Sequence, residues 1–152
     1  MTGPPDPGSS GPGVARLAAG VPARHAREVL LSSITTYFSS FGAADVETRI
    51  ALFADEMVFE DPAGRHVASD VAGLRAFWVE KIPPDWKVAF TLERAAIVGD
   101  EALATATMHL RAGEKSSVDV LVNCHFAFDQ DGRIVSFRAF FDEQSIVDSR
   151  EG

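Results

Sequence analysis

The chain has 152 residues, 46% of them hydrophobic, with 22 acidic and 14 basic side chains and a formal net charge of −8. That length suits one domain with a continuous core, and an acidic chain without a basic, aromatic-studded stripe argues against a nucleic-acid surface. No apolar run reaches bilayer length, no charged start with an apolar core marks a secretory signal, and the single Cys124 leaves no internal disulfide. These features fit a cytoplasmic protein that does not cross a membrane.

Residues 1–20 are dense in Pro, Gly and Ser, with almost no large apolar side chain before Val14, and so read as a disordered tail. The domain is expected over residues 21–147, with residues 148–152 as a short C-terminal tail. From about Pro22 to Phe41, Leu30, Ile34, Phe38 and Phe41 recur at helical spacing and predict a helix laying one apolar stripe on a core. Tyr37 borders that stripe. Either its phenol points into a cavity as a donor, or its ring packs and its hydroxyl reaches the surface. Gly42-Ala43-Ala44 interrupts the helix, and Asp45 suits the N-cap of a second helix carrying Val46, Ile50 and Phe53.

The segment Ile50–Gly64 changes period. From Met57 onward the spacing becomes two, placing Met57, Phe59 and Asp61 on one face of a short strand and Val58 and Glu60 on the other. If the first face is the inner one, Asp61 is desolvated and its pKa rises toward the range of a general base. Alternatively, Asp61-Pro62 starts a turn that the Asp side chain caps. Glu60 points the other way and is expected to be exposed.

A short strand near His66–Ala68 follows. Ser69 or Asp70 then caps a third helix, with Val71, Leu74, Phe77 and Trp78 facing inward and Pro83-Pro84 ending it. Beyond lie four strands, roughly 86–98, 101–111, 117–128 and 133–141, joined by short turns at Gly99-Asp100, Gly113-Glu114 and Asp131-Gly132. This order predicts an α+β fold with helices on one face of a curved sheet. In the last two strands Val120, Val122, Cys124, Phe126 and Phe128, and Val135, Phe137, Ala139 and Phe141, form inward sets. Asp119, Leu121, Asn123, His125, Arg138 and Phe140 face out, on a surface that is either solvated or the interface of a homodimer. The histidines His25, His66 and His109 show no metal-ligand spacing with a carboxylate, so no metal is expected.

The string Ile50–Gly64, the helix with Phe77-Trp78, and the run Cys124–Phe128 followed by Gly132–Phe141 resemble the ketosteroid isomerase branch of the nuclear-transport-factor-2-like (NTF2-like), or SnoaL-like, superfamily. The resemblance covers almost everything after the tail and aligns without a gap from Tyr37 through Asp61 to Trp78. It implies an α+β cone, three helices against a strongly curved mixed or antiparallel sheet around an apolar cavity, usually as a dimer. It further implies Asp61 as general base and Tyr37 as oxyanion donor. The family's second donor, a protonated Asp, is replaced here by Cys124, and its supporting Tyr by Trp78, whose indole donates but does not accept.

The implied chemistry is cofactor-independent proton transfer next to a carbonyl on a small hydrophobic substrate, a steroid-like compound first, contacted by Phe53, Phe59, Trp78, Val122, Cys124, Phe126, Phe137 and Phe141. A thiol at the second donor position is weak, which favours the isomerase architecture over full isomerase activity. Two other readings stand beside it. A SnoaL-like cyclase or an epoxide hydrolase, working on a polyketide or terpenoid, needs a second acid in the cavity, for which Glu93, Asp119 and Asp142 are the candidates. A non-catalytic binding module needs Asp61 held in a structural hydrogen bond and a cavity filled by the chain's own aromatics.

Overall fold

The computed structural model describes residues 7–151. Helix α1 covers Pro7–Ala19, within the stretch 1–20 where the composition predicts a disordered tail; residues 1–6 of that stretch lie outside the described residues. The next helix, α2 (Arg27–Gly42), starts five residues later than expected from Pro22. The reason is local: Arg24 binds both carboxylate oxygens of Asp100, through its backbone N–H and its Nε, each at 2.9 Å. His25 Nε2 lies 3.0 Å from the Asp129 carbonyl. Residues spent on these two hairpin turns cannot also join the helical ladder.

Once begun, α2 buries Leu30, Ile34, Tyr37 and Phe38 along one stripe. Asp45 caps α3 (Val46–Ile50) by accepting from the Thr48 N–H at 3.1 Å. The helix is short, and Phe53, expected within it, is instead the first residue of β1 (Phe53–Glu60). Its buried residues from Met57 onward alternate as the period of two requires. Strand β2 (His66–Asp70) pairs antiparallel with β1 and ends on Asp70, which caps α4 (Val71–Ala76) through the Gly73 N–H at 2.8 Å. A π-helical turn, Phe77–Lys81, extends α4 and buries Trp78.

The remaining strands are β3 (Trp86–Val98), β4 (Glu101–Ala112), β5 (Ser116–Phe128), β6 (Ile134–Phe140) and β7 (Ile146–Arg150). They complete one seven-stranded curved sheet in the order β2-β1-β6-β5-β4-β3, with β7 also on β5. Among the described residues, only the β1–β6 pair is parallel. Gly99, between β3 and β4, has φ +59°, and a Cβ there would meet Val21 Cγ1 at 3.0 Å, so the turn and the incoming segment demand a glycine.

Two expectations for the end of the chain need correction. Val135 does not face inward: a register shift opposite Ala127/Phe128 turns Ile134 and Phe137 into the core, leaving Ile134 fully buried and Val135 36% exposed. Residues 148–150, expected in a tail, belong to β7, where Asp148 and Ser149 pair with Asp119 and Val118. The core lies between the helices and the inner sheet face, and one end of it opens into a cavity.

Candidate active site

The cavity has a volume of about 450 Å³ and is walled almost entirely by apolar side chains. Tyr37, Phe38 and Phe41 enter it from α2, Trp78 from the π-helical turn, Val122 and Cys124 from β5, and Phe137 from β6, with Phe141 just beyond. Among the described residues, Asp61 is its only carboxylate.

The turn after β1 places that carboxylate. Backbone bonds fix it: Asp61 N–H to the Arg65 carbonyl at 3.1 Å, Arg65 N–H to the Pro62 carbonyl at 2.9 Å, and Ala63 N–H to the Ala139 carbonyl at 2.7 Å. The side chain that caps the turn is Glu60, whose Oε1 accepts from the Gly64 N–H at 2.7 Å and from Arg138 Nε at 3.0 Å. Glu60, expected to be exposed, is half-buried and paired. Because Glu60 does this work, Asp61 need not cap its own turn, and its carboxylate accepts no hydrogen bond among the described residues. Burial pushes Asp61 up to about 6, with the Arg65 charge pulling the other way.

Tyr37 lines the cavity and is also packed on every side. Its ring packs against Phe38 and Phe137 at centroid distances of 5.1 and 5.0 Å. The residue is 3% exposed, so the hydroxyl does not reach the surface. Burial raises its pKa well above the ordinary value, and the nearby Asp61 charge adds to this, so the phenol is protonated and able to donate. Cys124 is likewise raised by burial and by Asp61 and remains a neutral thiol. Its neighbour His125 lies on the other face, bonded to Glu101 at 2.8 Å, and offers it no base.

Sequence reasoning missed one buried charge. Arg49, 3% exposed, stacks its guanidinium 3.4 Å from the Phe41 ring centroid and 4.6 Å from that of Trp78. Its Nε donates to Ser40 Oγ at 2.8 Å, and that hydroxyl donates to the Tyr37 carbonyl at 2.6 Å. Burial lowers Arg49 to about 10, which leaves it cationic at neutral pH behind the aromatic wall, where its charge offsets part of the rise at Tyr37.

Of the aromatics expected to contact a ligand, Phe53, Phe59 and Phe126 do not line the cavity. They form the layer behind it, with Phe59 stacked on Phe137 at 4.6 Å and Phe126 edge-on to Tyr37 at 5.6 Å. Residues not anticipated in the lining include Trp86, Val88 and Phe90 of β3 and Met108 and Leu110 of β4. A signal for them existed, since each set recurs at period two. The candidate second acids lie elsewhere: Glu93 accepts from Thr107 at 2.9 Å, Asp119 is 2.9 Å from His109 Nδ1, and Asp142 caps a 3₁₀ turn. Among the described residues no three His, Cys, Asp or Glu side chains are grouped as a metal site requires, and no helix is long and apolar enough to cross a membrane.

Solved structures share this architecture. An LEH-like epoxide hydrolase from Mycobacterium tuberculosis matches with TM-score 0.69 at 19% identity, over 78% of this chain and 86% of its own. The Δ5-3-ketosteroid isomerase of a Mycobacterium species matches with TM-score 0.67 at 18% identity, over 78% and 97%. The M. tuberculosis protein RV0760c, in complex with estradiol-17beta-hemisuccinate, matches with TM-score 0.67 at 20% identity, over 79% and 98%. At these identities the likeness establishes the fold, an NTF2-like α+β cone. The family model for the SnoaL-like domain matches residues 34–137, from the middle of α2 to Phe137 in β6, and thereby spans Tyr37, Asp61 and Cys124. The chain belongs to the SnoaL-like domain family.

Proposed function

We propose that this protein is a cofactor-independent acid–base enzyme that moves a proton next to a carbonyl on a bulky apolar, steroid-like substrate. The observation that carries the reading is the solitary, desolvated carboxylate of Asp61 in the same apolar cavity as the buried phenol of Tyr37. Asp61, ionised above pH about 6, removes the proton from carbon. Tyr37 donates to the oxygen on which charge develops, and Asp61 returns the proton farther along the conjugated system. Cys124 faces the same space as a weak neutral donor, and the Arg49 charge favours negative charge at Tyr37.

The lining weighs against the other two readings. A two-acid cyclase or epoxide hydrolase would need a second carboxylate, and among the described residues Asp61 stands alone in the lining. A filled binding module is at odds with an open volume of about 450 Å³ and with an Asp61 side chain free of structural hydrogen bonds among the described residues. The working unit is a homodimer through the outer sheet face, where Leu103, Leu121 and Phe140 are exposed; light scattering that finds only monomer would remove this part. A buried single thiol suits a reducing, cytoplasmic setting.

The test is conversion of a β,γ-unsaturated ketosteroid to its conjugated isomer, followed by absorbance. Wild type is expected to convert it and Asp61→Asn is not. Equal rates for the two proteins would refute the assignment of the base.

A further inference from the structure

The charged residues of the cavity lining are unbalanced. Among the described residues, one lining carboxylate, Asp61, stands against two cations, Arg65 in the β1–β2 turn and Lys81 at the end of the π-helical turn. Both are exposed, as is Trp86, whereas Tyr37, Trp78, Cys124 and Phe137 are buried, so the exposed set marks the mouth and the buried set the interior. Arg65 is partly engaged: its Nη1 donates to the Asp61 carbonyl at 3.2 Å and its charge acts on the Asp61 carboxylate. Lys81 has no carboxylate within ion-pair distance among the described residues, in a chain whose acids outnumber its bases by 22 to 14. A neutral hydrocarbon gains nothing from an ammonium at the entrance, but an acid does, since the apolar wall lowers the local dielectric and lengthens the reach of the charge.

We propose that the cavity takes an amphipathic acid: an apolar body that fills the interior with its carbonyl end at Asp61 and Tyr37, and a carboxylate that stays at the mouth against Lys81, with Arg65 adding to the field. This rests on the cavity being the ligand site described above and deepens that reading by fixing the charge of the ligand. Only one end of such a molecule is welcome inside. A carboxylate driven inward would meet Asp61 in a desolvated space, so Lys81 both attracts the acid and sets its direction.

The test compares the affinity of two probes, a ketosteroid carboxylic acid (an androstenone whose D ring bears a carboxylate) and its methyl ester, read by quenching of Trp78 and Trp86 fluorescence. At low salt the acid is expected to bind about five- to tenfold more tightly than the ester, and the gap should shrink at about 0.5 M salt. Lys81→Gln should bring the acid to within about twofold of the ester while leaving the ester unchanged, and Arg65→Gln should have a smaller effect in the same direction. An ester bound as tightly as the acid, or a preference that survives both substitutions, overturns the inference. If that happens while a neutral enone is still isomerised in an Asp61-dependent way, the inference falls alone and the enzyme stands. Binding of neither probe removes both.

Discussion

Glu60 and Asp61 follow one another at the end of β1, and the pleat sends them to opposite faces of the sheet. Glu60 meets the Gly64 N–H at 2.7 Å and Arg138 at 3.0 Å, and these bonds hold its carboxyl below the usual range. Asp61 enters the cavity with no such bond among the described residues and is pushed up to about 6. The difference lies in what each side chain is offered. The same contrast runs across the sheet, where Thr105 with Asn123, Thr107 with Glu93, and His125 with Glu101 pair on the outer face while Val122, Cys124 and Phe137 present only apolar or weakly polar atoms inside. A partnered carboxylate supports the fold, and an unpartnered one is left available for chemistry.

The largest effect that tests this contrast is on turnover. Asp61→Asn is expected to lower the rate at least about 10³-fold, while Glu60→Gln leaves kcat near wild type. A loss of activity at Glu60 equal to that at Asp61 would break the division of labour. Next comes Tyr37→Phe, which keeps the packed ring and removes the donor; a fall of about 10²-fold or more with little change in melting temperature is expected. An unfolded variant would instead make Tyr37 a core residue first and a donor second.

Stability gives the third test, with opposite signs at the two sites. For Asp61 the folded pKa, about 6, exceeds the ordinary 3.8, so the native state holds its proton more tightly than the unfolded chain does. Ionising it costs about 3 kcal/mol, present in full above pH 6 and relieved as pH falls toward 4. Asp61→Asn is therefore expected to stabilise the protein at pH 7 by up to that amount, with the gain vanishing near pH 4 in denaturant titrations. For Glu60 the folded pKa is lowered, so its contribution is present above the ordinary value of 4.5 and is lost as pH falls through the depressed one. Glu60→Gln should accordingly lower the melting temperature at pH 7. The smallest expected change is at Cys124: Cys124→Ser puts a better donor in the same place and should raise the rate severalfold, as steady-state kinetics would show.

Much of this was legible in the sequence because it follows from period. The spacing of Leu30, Ile34 and Phe38 marks α2, and the alternation of Met57, Phe59 and Asp61 marks the inner face of β1. What period could not show was competition for partners. Nothing local reveals that Arg24 and His25 are spent on turns 76 and 104 residues away, which delays α2. Nor does it reveal that a register shift on β6 exchanges Val135 for Ile134. The site divides along the same line. Asp61 and Tyr37 follow from pattern and resemblance, whereas pattern does not separate the cavity wall from the layer behind it, where Phe53, Phe59 and Phe126 lie, because that distinction is set by depth rather than by face. Arg49 was invisible because its partners are two aromatic rings and a hydroxyl, and nothing in the local pattern distinguishes a buried guanidinium from an ordinary charge on a short helix.

The most direct measurement is the titration of the Asp61 carboxyl itself, followed by carbon NMR of labelled protein with Asp61→Asn as the assignment control. A midpoint near 6, matched by a rise of kcat/KM over the same pH range, is the expected result. A midpoint at or below 4 would mean a solvated or hydrogen-bonded carboxylate, and a cavity without its base.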